Sequence, residues 1–188
     1  MGNYDLLIQN GRVLDADTDF DQISDLAISN GRIERIDPAI NPALADDLID
    51  ATGQWVIPGM IDTHVHVSNA AGLGRIRGLG LQMVAASGAT TVIDLGGSMD
   101  ALRAGIVARG SGVNVGSLGY LKPGETVPEG RLSADSILEI VGEALDVGSL
   151  GIKLWGGYYP FTPEETSRFI AAANQLVGYV AYHVGTTE

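Results

Sequence analysis

The stretch Val56-Ile57-Pro58-Gly59-Met60-Ile61-Asp62-Thr63-His64-Val65-His66 divides the chain and points to its chemistry. Pro58-Gly59 ends one pattern, because proline gives no ladder donor and glycine admits turn geometry. Met60 to Val67 then reads as an apolar strand. Side chains at i and i+2 of a strand share a face, so His64 and His66 project together, with Asp62 on the same side. Paired imidazoles suit zinc and similar ions. Two surface histidines at a strand end fit the same spacing.

Upstream, short apolar runs alternate with turn residues. Tyr4–Gln9, Arg12–Asp15, Asp25–Ser29, Arg32–Ile36 and Leu48–Ile57 read as strands. Asn10-Gly11 and Asn30-Gly31 are hairpin signals, because both central residues of such turns need positive φ. Residues 1–57 are therefore expected to form a small β-sandwich-type domain.

Downstream, strands alternate with helical segments. The strands are Met60–Val67, Thr90–Leu95, Val113–Tyr120, Gly151–Trp155 and Tyr179–Val184. The helices are Gly74–Ser87, Met99–Arg109, Ser133–Gly148 and Thr162–Leu176. Ser133 opens one as a cap, and Thr162-Pro163-Glu164-Glu165 places Pro at N1 and Glu at N3 of another. Alternation of this kind gives a parallel α/β sheet. A dinucleotide-binding sheet needs Gly-x-Gly-x-x-Gly after its first strand, and Gly72-Leu73-Gly74 with Gly78 breaks that spacing. Residues 58–188 are thus expected to be the first part of a TIM-like (β/α) barrel, about five of eight strands.

Composition narrows the partners. The formal charge is −12 and the pI about 4.4, which disfavours nucleic acid and anionic membranes. Without cysteine, disulfides and thiolate ligands are excluded. No signal-peptide pattern and no long apolar run stands out, so a cytoplasmic location is the default expectation.

All three histidines, His64, His66 and His183, fall at ends of expected strands. His183 alone also fits a satisfied core histidine. Lys122 and Lys153 are the only lysines. Lys153 lies in the apolar run Gly151-Ile152-Lys153-Leu154-Trp155, where burial lowers a lysine pKa and exposes a neutral amine. Such an amine can take up carbon dioxide as a carbamate. Lys153 extending to solvent, or paired with Asp94, is the alternative.

The Pro-Gly-x-Ile-Asp-x-His-x-His string of residues 58–66, with the hairpin-rich segment before it, resembles the opening of the amidohydrolase superfamily. Gly88–Asp94 resembles that superfamily's second barrel strand. Gly151–Trp155 resembles the strand bearing a carboxylated lysine in its hydantoinase, dihydropyrimidinase and dihydroorotase branch. The resemblance implies a pair of divalent metal ions, zinc being the expected metal. His64 and His66 would hold the more buried ion, carbamylated Lys153 would bridge the two, and His183 would hold the second. Tyr158, five residues after Lys153, would bind the substrate carbonyl and the developing oxyanion. An aromatic lid at the barrel mouth is an equal reading of Tyr158.

The implied reaction is cleavage of a C–N amide bond, in a ring of the hydantoin or dihydropyrimidine kind, by a metal-activated hydroxide. A linear N-acyl amino acid deacylase and a non-catalytic binding or structural relative are the alternatives. Dihydroorotases carry an arginine directly after His-x-His. Here Val67-Ser68-Asn69 follows, with Arg75 the nearest. N-acyl-D-amino-acid deacylases often carry a metal-binding cysteine, which this chain lacks. The family's fourth histidine and catalytic aspartate lie on later strands, so the 188 residues read as a fragment. Open strand edges then predict a homo-oligomer or association with the missing barrel half, with a small-molecule amide as the substrate partner.

Overall fold

The computed structural model describes residues 3–67 and 79–185. The chain separates into two compact units, Met1–Gly59 and Met60–Glu188. Among the described residues no helix is long and apolar enough to cross a membrane.

The first unit contains β1 (Tyr4–Asp15), β2 (Phe20–Ser29), β3 (Arg32–Asp37), β4 (Ala45–Asp50) and β5 (Trp55–Val56). These form one mixed sheet in the order β3-β2-β1-β4, with β5 also on β1. Where a sandwich is expected, the described residues give this single five-stranded sheet.

The Asn30-Gly31 turn forms as expected, with φ of 51° and 70° between β2 and β3. Asn10-Gly11 does not turn the chain. Both flanking runs pair with β2, and the register shifts between Ile8 and Gly11. Asn10 takes φ 61°, and its N–H donates to the buried Asp25 carboxylate at 2.9 Å. That carboxylate also accepts from Ile40 N–H at 2.8 Å. A bulge whose freed donor is satisfied thus replaces the hairpin. The expected Leu48–Ile57 strand is likewise broken into β4 and β5, which meet different halves of β1. Leu7, Ala27 and Ile40 form the unit's core.

The second unit contains β6 (Met60–Val65), α1 (Leu79–Ala86), β7 (Ala89–Asp94), α2 (Met99–Arg109), β8 (Asn114–Ser117), β9 (Gly119–Leu121), α3 (Ala134–Asp146), β10 (Gly151–Leu154), α4 (Pro163–Gln175) and β11 (Tyr179–Tyr182). Gly72, Gly74 and Arg75 lie outside the described residues, so the start of the expected Gly74–Ser87 helix does too.

All strand pairs here are parallel and follow chain order, β6-β7-β8 and β9-β10-β11. The expected Val113–Tyr120 strand is split at Leu118. Its first half pairs with β7 and its second half with β10. Leu118 N–H still reaches Asp94 O at 3.0 Å, and Leu150 N–H reaches Ser117 O at 2.8 Å. Stagger between successive strands gives one strand different neighbours along its length. Order without reversal also removes the switch point that a doubly wound dinucleotide fold uses.

Two apolar clusters fill this unit, one around Val141, Ile152 and Phe169, the other around Leu81, Val92 and Leu102. The helix caps follow the sequence. Ser133 Oγ accepts from Ser136 N–H at 3.1 Å. Thr162 and Glu165 form a complete capping box with Pro163 in the first turn. Thr162→Ala is expected to cost about 1 kcal/mol, measured as a shift in the denaturant midpoint of the second unit.

Candidate functional site

β6 brings His64 and His66 to its C-terminal end on one face. Their Nε2 atoms lie 3.3 Å apart and their ring centroids 5.3 Å apart. Two nitrogens held about 2.0–2.1 Å from one tetrahedral ion would also lie about 3.3 Å apart. The pair therefore fits two positions on one ion. Asp62 Oδ1 accepts from the His64 backbone N–H at 3.1 Å, which fixes the turn of the strand there.

Lys153 sits in the centre of β10 and is 2% exposed. Its pKa lies below the ordinary lysine value because burial removes water from the ammonium. The Asp94 carboxylate, weighed from sequence as its partner, accepts from Val67 N–H at 2.8 Å. Asp94 is itself fully buried at the end of β7, and its backbone oxygen accepts from Ser117 Oγ at 3.1 Å. These bonds tie the end of β6 to β7 and β8.

His183 follows β11. Lys153 pairs with Ala181, so His183 lies two residues beyond on the same face of the sheet. Its backbone N–H donates to Leu154 O at 2.9 Å. Gly156 allows this approach: it has φ 54°, and a Cβ there would fall 1.9 Å from His183 O.

The His66 pKa is pulled below its usual value, first by partial desolvation and then by His64. Asp94 opposes the shift, while Lys153 and His183 add to it. His64, His66, Asp94, Lys153 and His183 are thus in one electrostatic neighbourhood. Even so, among the described residues no three His, Asp or Glu side chains converge as a metal-holding group. The close element is the histidine pair.

Tyr158 ends a short 3-10 turn, Gly156–Tyr158, and is exposed. Its ring lies 5.0 Å from that of His183. Trp155 was not singled out from sequence, yet it joins these groups. Its ring is 5.6 Å from His66, 6.1 Å from Tyr158 and 5.8 Å from Tyr159. The available signal was its i+2 spacing from Lys153 within the expected strand Gly151–Trp155, although β10 itself ends at Leu154.

No known protein-family model matches the chain. It is similar to the dihydroorotase of Trichlorobacter lovleyi, 39% identical over 62 residues, which is 33% of this chain and 15% of that protein. It is 38% identical over 92 residues to a D-phenylhydantoinase of Escherichia coli, covering 47% of this chain and 20% of the relative. The chain therefore spans a fifth or less of the length of these curated relatives. In fold it is similar to L-hydantoinase (dihydropyrimidinase) from Arthrobacter aurescens, with TM-score 0.71 at 20% identity, over 96% of this chain and 40% of that one. The sequence matches, over part of the chain, indicate the amidohydrolase superfamily, on its hydantoinase and dihydroorotase branch, and the match to L-hydantoinase is one of fold.

Proposed function

We propose that the chain carries the first part of the metal centre of a hydrolase that opens a C–N amide bond in a small cyclic substrate. The observation that carries this reading is the 3.3 Å approach of the His64 and His66 Nε2 atoms at a strand end. The dihydroorotase and D-phenylhydantoinase matches support a cyclic amide as substrate. In this reading residues 58–188 supply about five of the eight strand–helix steps of a barrel, and residues 1–57 form a separate β domain. In this reading a further histidine ligand and a proton-carrying aspartate complete the site. A soluble cytoplasmic enzyme, working as an oligomer or with further barrel strands, is the form this reading implies.

His64 and His66 would hold one divalent ion and His183 a second, with zinc suited to imidazole ligands. The neutral Lys153 amine would attack carbon dioxide and release a proton, leaving a carbamate that would offer oxygen donors to a divalent ion. When bound, such ions supply Lewis acidity and a nucleophile competent near neutral pH. Tyr158 would donate its hydroxyl proton in a hydrogen bond to the substrate carbonyl oxygen as charge develops there. Trp155 and Tyr159 would shield that side from water.

The test is metal content and intact mass of the chain prepared with zinc and bicarbonate, followed by ring opening of hydantoin and dihydrouracil. Stoichiometric metal and a mass increment of one carbon dioxide are expected. A folded chain that retains no metal would overturn the reading in favour of a non-catalytic relative. Metal uptake should also fall with pH. Imidazole binds metal only when neutral, and His66 titrates below its usual value of about 6.5. Uptake is therefore expected to persist at pH 6.5 and to fail as pH drops through the lowered value, measured by zinc titration from neutral to acid pH.

A further inference from the structure

We infer that Lys122 is a positioning residue: through the ring of Tyr159 it holds the turn that carries Tyr158. Lys122 directly follows β9, Tyr158 lies just beyond β10, and His183 follows β11. These three strands are parallel, so all three residues stand at the same end of the sheet.

The turn is weakly held by its own chain. Gly156 and Gly157 precede Tyr158, and glycine loses much conformational freedom on ordering. The turn has the backbone bond from Tyr158 N–H to Trp155 O at 3.2 Å, and its N-cap makes no side-chain hydrogen bond. A hydroxyl that donates to a developing oxyanion must be in place beforehand. Something outside the turn has to hold it.

The loop after β9 is built differently. Lys122 O accepts from the N–H groups of Glu125, Thr126 and Val127 at 3.1, 3.0 and 3.1 Å. Lys122 N–H donates to Thr126 Oγ1 at 2.8 Å, and that hydroxyl donates to Tyr120 O at 2.9 Å. The backbone thus fixes the loop, and the Lys122 side chain is left for another role. Its ammonium lies 2.7 Å from Glu125 Oε2, and Glu125 also accepts from the Tyr120 hydroxyl. Tyr120 is the β9 partner of Lys153. One carboxylate therefore ties the ammonium back to the sheet.

From that anchor the ammonium sits over the Tyr159 ring, 4.9 Å from its centroid. That is within the range of a cation–π contact. Tyr159 packs on Trp155 at 5.8 Å, and Trp155 on Tyr158 at 6.1 Å and on His66 at 5.6 Å. The path from Lys122 to Tyr158 is a run of contacting rings. Its importance for the reaction rests on the role proposed for Tyr158, whereas the clamp exists in the metal-free chain.

Trp55 and Trp155 are the only tryptophans, so Trp155 alone reports in a Trp55→Phe background. The experiment is acrylamide quenching of Trp155 emission in the metal-free chain. Lys122→Met should raise the quenching constant about threefold. Lys122→Gln should do the same, and the Lys122 side chain is 34% exposed, so neither change should disturb the fold. Lys122→Arg should keep the native value, because a guanidinium also pairs with carboxylate and stacks on aromatic faces. Tyr159→Leu should free Trp155 at least as much. Adding Lys122→Met to it should change nothing further, since both act through one contact. Native quenching in Lys122→Met and Lys122→Gln, failure of Lys122→Arg to rescue, or additive effects of Lys122→Met and Tyr159→Leu would each overturn the inference. Zinc uptake and ring opening with native quenching in Lys122→Met would sink the clamp alone. Raised quenching in a chain that binds no zinc would keep the clamp and sink the proposed activity.

Discussion

His66→Ala is expected to weaken zinc binding by more than about 100-fold while leaving the fold intact. Loss of a group that merely supports a ligand already costs about 10–100-fold in metal affinity, and His66 is one of the close nitrogen pair itself. Its side chain is exposed, so the stability change should stay within about 0.5 kcal/mol. That separation makes the variant informative. Competition with a chelator measures affinity, and circular dichroism with thermal unfolding checks the fold. His64→Ala should behave alike, since each imidazole supplies one of two nitrogens 3.3 Å apart. Unchanged zinc affinity in both variants would place the metal elsewhere and remove the basis of the proposed activity.

Lys153→Met should separate stability from function. Lysine at 2% exposure keeps its amine away from water, and methionine fills similar space without that polar group. Metal-free Lys153→Met is therefore expected to be as stable as the native chain or more so, by on the order of 1 kcal/mol. Carbamate formation and any bridging of two ions should disappear with the amine. Lys153→Ala should instead cost about 2–5 kcal/mol if the site fails to collapse.

The pH dependence supplies an independent check. The folded pKa of Lys153 is lowered, while the unfolded value stays near about 10.4. Between the two the unfolded chain binds more protons, so stability rises with pH there. Below the folded value the burial penalty is present in full. The penalty is relieved as pH climbs toward the unfolded value. Denaturant midpoints of the metal-free, carbon-dioxide-free native chain should thus increase into the alkaline range, whereas those of Lys153→Met should lack that rise. A native chain with no such rise would mean that Lys153 keeps its water.

Much of this molecule is legible locally. Met99–Arg109 is helical as read, with Ser98 as N-cap and Gly110 closing it at φ 73°. Thr162, Pro163 and Glu165 build the cap their order implies. These features succeed because the groups that satisfy each helix end lie within a few residues of it. The His-x-His face is legible for the same reason: strand geometry alone puts i and i+2 together.

Long-range pairing decided the rest. Asn10-Gly11 has hairpin chemistry, but Asp25, fifteen residues away, takes the Asn10 N–H and holds a bulge inside β1. The run Val113–Tyr120 has one apolar pattern, yet Leu118 is where its partner changes from β7 to β10. No local rule reports either event, since both depend on register between distant segments. By itself the sequence determined the alternation of strands and helices, the shared face of His64 and His66, and an amine in an apolar strand. Only tertiary structure set the 3.3 Å meeting of the two imidazole nitrogens, the depth of Lys153 and the place of Trp155 beside His66. Side-chain rotation and desolvation follow from what packs around a residue, and those neighbours come from other strands.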